Sequence, residues 1–493
     1  MSVAGAKEGL TRKAARATWW SALEIASRHG VQVLIMVVVA RLLTPSDLGL
    51  MAILLVFTSI GTVLVESGLG MALIQRQRCT DDDETTVFSF AVMTSMVLAT
   101  TLLIAAPGVA SFFDEPRLTP LLRAASVMFP LAALGTVPDA LLTMRLDFKA
   151  RTKAQFVASL ISGALAVSLA WIGWGVWALV AQLVVASAAR TAMVWVSSRW
   201  RPRGRFRRGS LKTLGRFGAF MLSASLLNAV FTRLQSLVLG KLFDTNALGY
   251  YALADTTRQA PANFVTGVLG RVGLPSFSAL AHDRTALREA LRVALRVSMF
   301  IFVPCMVMIA VLAEPLITMV YGDRWLPAAP VLSIMAIATA LWPLHVLNIA
   351  ALNAQGRSDL TLRIELVKDG MSLLYIVVGS PWGGVGLASA LLAASITAHV
   401  VNAYYTKKLL DFGAVSQCVD QGATFLLTGM SASVAWLILA GIGITPFNTA
   451  LALVSGIVVY LGSAVMVRPM PVQDVLRLAT TVRGAREKVY EHS

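Results

Sequence analysis

Long apolar stretches recur along the whole of this 493-residue chain, and they limit its possible folds more than any other feature. A helix needs about 20 apolar residues to cross the hydrocarbon core of a bilayer. Hydrophobic residues make up 57% of the chain and charged residues 14%, whereas soluble domains contain about 45–50% and about 25%. The sequence therefore predicts an all-α polytopic membrane protein.

About 14 membrane spans account for these stretches, and short segments of turn chemistry separate them. Thr44-Pro45-Ser46-Asp47 and Ser380-Pro381-Trp382-Gly383 are two such segments, because Pro, Gly, Ser and Asp favour turns. The predicted spans are about 17–40, 48–72, 86–110, 119–143, 153–173, 176–198, 215–240, 249–275, 293–313, 327–352, 360–379, 383–405, 421–442 and 446–467.

Basic residues determine the predicted orientation. If the N-terminus is cytoplasmic, the loops on that side hold about 30 Lys and Arg residues, and the opposite loops hold only Arg41, Arg117, Lys241 and Arg324. Cytoplasmic loops carry such an excess of positive charge, so both termini are predicted to be cytoplasmic. The formal net charge of +16 follows from this topology. No nucleic-acid-binding motif accompanies it, and we predict no nucleic-acid partner.

Two cytoplasmic segments have the pattern of helices that lie on a membrane surface. In Asp283–Arg296, Leu287, Leu291 and Leu295 recur every four residues with arginines beside them. Such a pattern is typical of an interfacial helix on anionic lipid. Val472–Val489 shows a weaker version. A solvated linker is the alternative interpretation of both segments.

Two segments that lie 200 residues apart share one pattern. Ala40–Leu50 and Gly240–Tyr250 each contain a small residue, a basic residue, a leucine, five further positions and Leu-Gly. Parallel repeats are typical of two-lobed transporters with a binding site between the lobes. We therefore predict an N-lobe, a basic cytoplasmic linker, a C-lobe, two additional spans and a cytoplasmic tail, at residues 1–200, 201–214, 215–406, 407–468 and 469–493.

The sequence contains none of the common catalytic motifs. GxxxxGK[ST], HExxH and GxSxG are absent, which argues against ATP hydrolysis and against metalloprotease or serine-hydrolase chemistry. Cys79, Cys305 and Cys418 lack the spacing of metal ligands. His345 and His399 lie in predicted spans without ligand-spaced partners, and we interpret them as buried, hydrogen-bonded residues. We predict that the chain is not an enzyme and uses no cofactor or metal.

Ionisable residues inside the predicted spans are the candidates for function, because they are costly in a bilayer. The cations that we predict to bind substrate are Arg28, Arg233, Arg258, Lys368 and Arg271. If they face one cavity, the ligand is anionic, and arginine suits phosphate because it forms paired, charge-assisted hydrogen bonds. Each has a structural alternative: Arg271 can snorkel, and nearby carboxylates can neutralise Arg28 and Arg258.

Acidic residues in the spans are assigned to two other roles. The candidates for proton coupling are Glu24, Asp255, Glu365 and Asp369. Glu66 and Asp139 lie near predicted cytoplasmic ends, and they are candidates for a gate. Arg123 and Arg190 are interpreted as residues whose charged groups snorkel to the membrane surface.

Six short motifs follow one another along the first twelve predicted spans. They are Ala40–Gly49, Glu66–Gly70, Leu146–Lys149, Gly175–Val180, Tyr321–Pro330 and Gly356–Leu360. Through this series the chain resembles the Wzx-type flippases for lipid-linked oligosaccharides, in the multidrug/oligosaccharidyl-lipid/polysaccharide exporter superfamily, and among them the WzxC-like exopolysaccharide exporters. The resemblance implies fourteen spans in two lobes around a cationic cavity, in the bacterial cytoplasmic (inner) membrane.

The resemblance also implies a substrate and partners. The expected substrate is an oligosaccharide repeat unit on undecaprenyl diphosphate, which alternating access would move from the inner to the outer leaflet for exopolysaccharide or O-antigen assembly. Membrane lipid, a polysaccharide polymerase and a chain-length regulator are the expected partners. Moving one charge across 100 mV is worth about 2.3 kcal/mol, so both membrane potential and proton entry are open as driving forces.

Four other functions are weighed against this one. A cation-coupled drug exporter of the same superfamily would have an acidic and aromatic site, which mid-span arginines disfavour. The WzxC-like motifs disfavour a lipid II flippase. A membrane polymerase or transferase would need catalytic groups and a larger extramembrane loop. A scaffold without transport activity would leave the cost of the intramembrane charges unexplained.

Overall fold

The computed structural model describes residues 30, 32–66, 68–76, 79–467 and 469–474, apart from the side chains of some helical residues between 216 and 362. All regular secondary structure in these ranges is helical. The described residues divide into two compact units, 30–252 and 253–474. The predicted lobes, linker and tail divide the chain at other positions, and they stay a prediction.

Ten helices begin in the first unit, and the last of them continues into the second. They are α1 (Gln32–Leu42), α2 (Pro45–Glu66), α3 (Leu69–Arg76), α4 (Asp81–Phe112), α5 (Leu118–Ala125), α6 (Met128–Met144), α7 (Phe148–Trp171), α8 (Val176–Ser198), α9 (Arg208–Leu242) and α10 (Thr245–Ala279).

The second unit consists of the rest of α10, nine further α-helices and two short 3₁₀ helices, Asp323–Ala328 and Ser380–Trp382. The α-helices are α11 (Arg284–Val311), α12 (Ala313–Val320), α13 (Ala329–Ala340), α14 (Trp342–Ala354), α15 (Ser358–Gly379), α16 (Gly383–Leu410), α17 (Ala414–Asp420), α18 (Gly422–Ile442) and α19 (Pro446–Val467).

Eleven helical segments in the described ranges are long and apolar enough to cross a membrane. One of them, Arg363–Leu410, contains two predicted spans joined at a 3₁₀ turn. The predicted span at 249–275 coincides with α10, which is helical but too polar to be one of the eleven. Most of the predicted span at 17–40 lies outside the described residues. The helical membrane fold is confirmed, and the count of fourteen stays a prediction.

Prolines inside three long helices leave carbonyl groups that side chains of other helices satisfy. A proline has no N–H to donate to the carbonyl four residues earlier. In α4, Pro107 frees the carbonyl oxygen of Leu103, which accepts from Arg123 Nε at 3.4 Å. In α6, Pro138 frees that of Leu134, which accepts from Trp195 Nε1 at 2.7 Å. In α11, Pro304 frees that of Phe300, which accepts from Tyr460 Oη at 2.6 Å. Membrane helices tolerate proline when neighbours supply such donors.

The predicted basic linker and Trp200, the residue before it, pack on the acidic beginning of α4. Trp200 Nε1 donates to Glu84 Oε2 at 2.6 Å, and the backbone N–H of Arg205 donates to Asp82 Oδ1 at 2.7 Å. Arg207 forms an ion pair with Asp82 at 2.6 Å. Carboxylates at a helix N-terminus are also favourable to the helix dipole, so these contacts stabilise both the linker and the start of α4.

The interpretation of Asp283–Arg296 as an interfacial helix is wrong, because this segment is the first part of α11 and continues into a membrane-crossing helix. Leu287, Leu291 and Leu295 are each 0% exposed, and they pack against residues that include Phe277. Their four-residue period therefore reflects burial against other helices. Most of Val472–Val489, the second predicted interfacial helix, lies outside the described residues.

The arginines beside these leucines bind a carboxylate of the protein. Arg292 donates two hydrogen bonds to Asp420, at 2.5 and 2.8 Å, and Arg296 donates one at 3.1 Å. Arg296 also lies 3.6 Å from Asp474. Burial raises the pKa of Asp420, but the hydrogen bonds and charges of the two arginines outweigh this effect, and the net result is a pKa below its ordinary value. This cluster joins α11, α17 and the C-terminal segment.

Candidate functional site

The two predicted gate residues lie in one charged cluster of the first unit. Asp139 on α6 accepts two hydrogen bonds from Arg151 on α7, at 3.0 Å each. Arg190 on α8 forms an ion pair with Asp139 at 3.1 Å. Glu66, at the end of α2, interacts electrostatically with Arg190 and Asp139. Arg190, interpreted from the sequence as snorkelling, is thus held by a carboxylate.

A tight turn between α6 and α7 produces this cluster. Leu146 adopts a positive φ of 55°, and the side chain of Asp147 accepts from the backbone N–H of Ala150 to cap α7. The chain therefore reverses direction within a few residues, and Asp139 and Arg151 lie side by side. The sequence analysis missed this pairing, although the positions of the two residues, a few residues before and after the turn, were a usable signal.

Arg233 differs from the other described cations of the predicted site. It is half-buried in α9 and forms no ion pair or hydrogen bond with a residue in the described ranges. An arginine is always charged, so Arg233 carries a positive charge that no carboxylate of the described residues neutralises.

Arg258 is neutralised within its own helix. Its Nη2 donates to Asp255 Oδ1 at 2.5 Å, and Gln259 donates to the other carboxylate oxygen of Asp255. On α13, Thr339 accepts a 3.3 Å hydrogen bond from Arg258 Nη1. The Nε atom of Arg258 is buried and has no partner in the described part of the chain. One donor therefore remains for a ligand, but the charge is already paired.

Lys368 belongs to a cluster formed by α14, α15 and α16. Its Nζ donates to Glu365 at 2.8 Å and lies 3.4 Å from His345 Nδ1. Asn402 donates to the same ring nitrogen at 2.8 Å, so His345 is hydrogen-bonded as predicted. Asp369 interacts electrostatically with Glu365 and Lys368. Two carboxylates against one ammonium group make this cluster net acidic when His345 is neutral, which suits a proton better than an anion.

Glu24 and Arg28 lie outside the described residues, and so does the side chain of Arg271, although its backbone is part of α10. No group of three or more His, Cys, Asp or Glu side chains that could hold a metal ion occurs where side chains are described. Sequence reasoning missed Thr339 and Asn402, since uncharged polar residues are common in membrane helices and carry no distinctive spacing.

Comparison with known proteins supplies a family and a fold. Residues 38–330, more than half of the chain, match the family model described as "Polysaccharide biosynthesis protein". The succinoglycan biosynthesis transport protein ExoT of Rhizobium meliloti (strain 1021) is 26% identical over 65% of this chain and 65% of its own length. The lipopolysaccharide biosynthesis protein WzxC of Escherichia coli (strain K12) is 24% identical over 76% of this chain and 77% of its own.

The fold is similar to that of a solved membrane transporter. The inward closed conformation of the lipid II flippase MurJ superposes with a TM-score of 0.75, covering 92% of this chain and 99% of that chain at 14% sequence identity. At this level of identity the likeness concerns the fold alone. The resemblance to WzxC-like proteins that the motifs indicated is confirmed by the sequence relatives.

Proposed function

The chain belongs to the polysaccharide biosynthesis protein family, and from this membership we propose that it translocates lipid-linked oligosaccharide repeat units across a bilayer. The substrate is an oligosaccharide on undecaprenyl diphosphate, which moves from the inner to the outer leaflet of the bacterial cytoplasmic membrane for exopolysaccharide or O-antigen assembly. The observation that carries the proposal is the family match over residues 38–330, in a chain whose described part has eleven helical segments long and apolar enough to cross a membrane. A relative named as a transport protein supports it.

The described charges support Arg233 as the first contact for the diphosphate. A diphosphate has to displace Asp255 from Arg258 and Glu365 from Lys368, whose ion pairs are 2.5 and 2.8 Å long. Arg233 has no such competitor among the described residues. A hydrogen bond to a charged group contributes about 1.5–3 kcal/mol, so one free arginine inside a membrane protein can change affinity substantially. Arg28 and Arg271 complete the proposed set.

The acidic clusters are assigned to movement and coupling. Glu66 and Asp139 form the proposed cytoplasmic gate, and opening it requires separating α8 from α6 at the ion pair between Arg190 and Asp139. Among the described candidates for proton coupling we favour Glu365 and Asp369, because their cluster is net acidic, whereas Asp255 is paired with Arg258. A polysaccharide polymerase and a chain-length regulator are the proposed downstream partners.

A gene deletion in the native host tests the proposal. Lipid-linked intermediates are extracted from the deletion strain and identified by mass spectrometry, with the plasmid-borne gene as the control. We expect complete repeat units on undecaprenyl diphosphate to accumulate, polymer to disappear, and the plasmid to reverse both effects.

Two other results would contradict it. Accumulation of incomplete oligosaccharides would place the protein in synthesis. Accumulation of lipid II with unchanged polymer would assign it to cell-wall precursor transport, the function named for the solved structure of similar fold. A strain carrying catalytically inactive polymerase is the comparison that separates a block in translocation from a later block, since only translocated intermediates are accessible to an external glycosidase.

A further inference from the structure

The two repeated turns of the sequence form the beginnings of two helices that face each other in the unit 30–252. Thr44 and Asp47 cap α2: the hydroxyl and backbone N–H of Thr44 donate to Asp47 Oδ2, at 2.8 and 3.0 Å. Asp244 caps α10, because its Oδ1 accepts from the backbone N–H of Ala247 at 2.8 Å. Side-chain caps of this kind define where a helix starts.

Equivalent glycines of the repeat bring the two backbones into direct contact. A Cβ atom at Gly49 would lie within bonding distance of the carbonyl oxygen of Thr245, and one at Gly249 would overlap the carbonyl oxygen of Pro45 in the same way. Each glycine thus leaves room for the first carbonyl of the opposite helix, in the geometry of a Cα–H···O contact. The contact is reciprocal, so a two-fold relation links the helix starts. We name these four residues the glycine seam.

Polar groups surround the glycine seam. The hydroxyls of Ser46 and Thr245 lie 3.0 Å apart, and Arg117 donates to Ser46 Oγ at 2.8 Å. Thr245 Oγ1 lies 3.4 Å from Glu115, and Lys241 forms an ion pair with Asp114 at 3.1 Å. Arg117 and Asp114 are mostly exposed, by 55% and 81% of the side chain, whereas Lys241 is exposed by 40% and Glu115 by 22%. Exposed ion pairs contribute little, and water can replace these hydrogen bonds when the helices separate.

We propose that the glycine seam is the outer gate of the translocation path and opens and closes once in each transport cycle. This inference rests on the proposed function. The charge distribution places the starts of α2 and α10 on the outer side, since few basic residues flank them. The contact itself is made by backbone atoms and fits closely. The hydrogen bonds and the ion pair of the polar rim, which involve Arg117 and Lys241, have to break when the helices separate.

A reversible cross-link tests the gate in the full chain. Ser46→Cys and Thr245→Cys are introduced together in a background in which Cys79, Cys305 and Cys418 are serine and polymer formation is intact. The hydroxyl oxygens lie 3.0 Å apart, so cysteine sulfurs at the same positions are close enough to reach the length of a disulfide bond, about 2.0 Å, with small side-chain rotations. We expect oxidation to form the disulfide, to lower polymer synthesis at least tenfold, and to cause lipid-linked intermediates to accumulate. Reduction should restore synthesis, which excludes misfolding as the cause.

Three other outcomes would contradict the gate, the contact or the proposed function, and they can be told apart. A disulfide that forms without any effect on polymer synthesis would overturn the gate while leaving the proposed function intact. Two cysteines that react with a maleimide but do not cross-link would contradict the contact itself. Failure of the unmodified gene to restore polymer in the same deletion strain would contradict the proposed function, before any cysteine is introduced.

Substitution of the glycines provides a second test. Gly49→Ala and Gly249→Ala place a methyl group against a carbonyl oxygen, so the gate cannot close completely. We expect each variant to increase the labelling rate of a single cysteine at position 46 by an impermeant maleimide at least threefold. Gly429→Ala is the matched control, because a Cβ there has no atom within 4 Å. Unchanged labelling in both seam variants would overturn the proposal.

Discussion

At the scale of single residues, the intramembrane cations differ mainly in whether a carboxylate neutralises them. Arg258 and Lys368 each have an acidic partner three residues away on the same helix. Arg233 has none among the described residues. Local pairs lower the cost of placing a charge in the membrane, whereas the charge of Arg233 is the one that we propose an anionic ligand neutralises. Arg233 is therefore the residue on which the account of substrate binding depends most.

We expect Arg233→Ala to reduce polymer synthesis about tenfold or more, because a hydrogen bond to a charged group contributes about 1.5–3 kcal/mol. Membrane insertion and expression should not change. The measurement is polymer yield in the complemented deletion strain, normalised to protein amount. Arg201→Ala, which removes an exposed arginine of the linker, is the matched control. Full polymer synthesis by Arg233→Ala would contradict the assignment.

Asp420 is expected to make stability depend on pH. Its pKa is lowered in the folded protein, so the stabilisation is complete above the ordinary pKa of an aspartate and is lost as pH falls through the lowered value. Breaking a buried ion pair costs about 3–5 kcal/mol, and we expect Asp420→Asn to destabilise the protein by about 3 kcal/mol at pH 7.

Thermal unfolding in detergent at several pH values provides the measurement. The difference between wild type and Asp420→Asn should shrink as the pH decreases below about 4. Asp411→Asn is the control, since its carboxylate is exposed and 3.6 Å from Arg288. A difference that stays constant with pH would show that Asp420 does not act through its charge.

The sequence indicated which residues are ionisable and intramembrane, but not how they pair. The pair of Asp255 and Arg258 follows from helical spacing, and the sequence already indicated that a nearby carboxylate can neutralise Arg258. Arg190 and Asp139 lie 51 residues apart, and their contact depends on how α6 and α8 pack. In the second unit, the hydrogen bond between His345 and Asn402 likewise depends on how α14 and α16 pack. Side-chain pairs within one helix can be predicted from sequence spacing, whereas contacts between helices depend on the rotation of each helix about its axis.

At the scale of secondary-structure elements, side chains of neighbouring helices satisfy the carbonyls that prolines leave free. In α11, Pro304 frees the carbonyl of Phe300, and Tyr460 on α19 donates to it at 2.6 Å. The hydroxyl of Tyr460 thus connects α19 to α11 at the proline. An unsatisfied carbonyl in an apolar environment is costly, so the proline and the tyrosine depend on each other.

We expect Tyr460→Phe to destabilise the protein by about 1–3 kcal/mol, the cost of a buried acceptor without a donor. The same substitution should cost less in a Pro304→Ala background, because the new backbone N–H can donate to Phe300. Thermal unfolding of the four proteins forms a double-mutant cycle. Tyr404→Phe, at a position 63% exposed, is the control. Additive effects of the two substitutions would contradict the coupling.

The length of an apolar stretch was a good predictor of a helix. The four-residue period of an amphipathic segment was a poor predictor of what that helix packs against. Each predicted span from 48 to 467 coincides with described helix. The leucines of Asp283–Arg296 have the same period whether they face lipid or protein, and this ambiguity caused the wrong interpretation. The acidic residue that distinguishes the two cases, Asp420, lies more than 120 residues away from Arg292.

At the scale of the whole molecule, the repeated sequence has a structural counterpart. Gly49 and Gly249 occupy equivalent positions and make equivalent contacts at the starts of α2 and α10. The repeat was recognisable from sequence, but its role was not, because only the structure shows the two copies in contact. The family match assigns the chain to the polysaccharide biosynthesis proteins, and its fold is similar to that of MurJ. The central claim of the account is the proposal that the protein translocates lipid-linked oligosaccharide.

Reconstitution of the purified protein in liposomes tests this claim most directly. The purified protein is incorporated into liposomes that contain the native lipid-linked repeat unit in both leaflets, and an external glycosidase reports the accessible fraction. If the substrate does not move between leaflets, the glycosidase rapidly cleaves about half of it, and the half in the inner leaflet is protected. The account predicts that the wild-type protein exposes the protected half within minutes, and that the oxidised Ser46→Cys/Thr245→Cys protein does so at least tenfold more slowly. The account would be contradicted if the protected half persists with correctly folded protein, both under an imposed membrane potential and under a proton gradient.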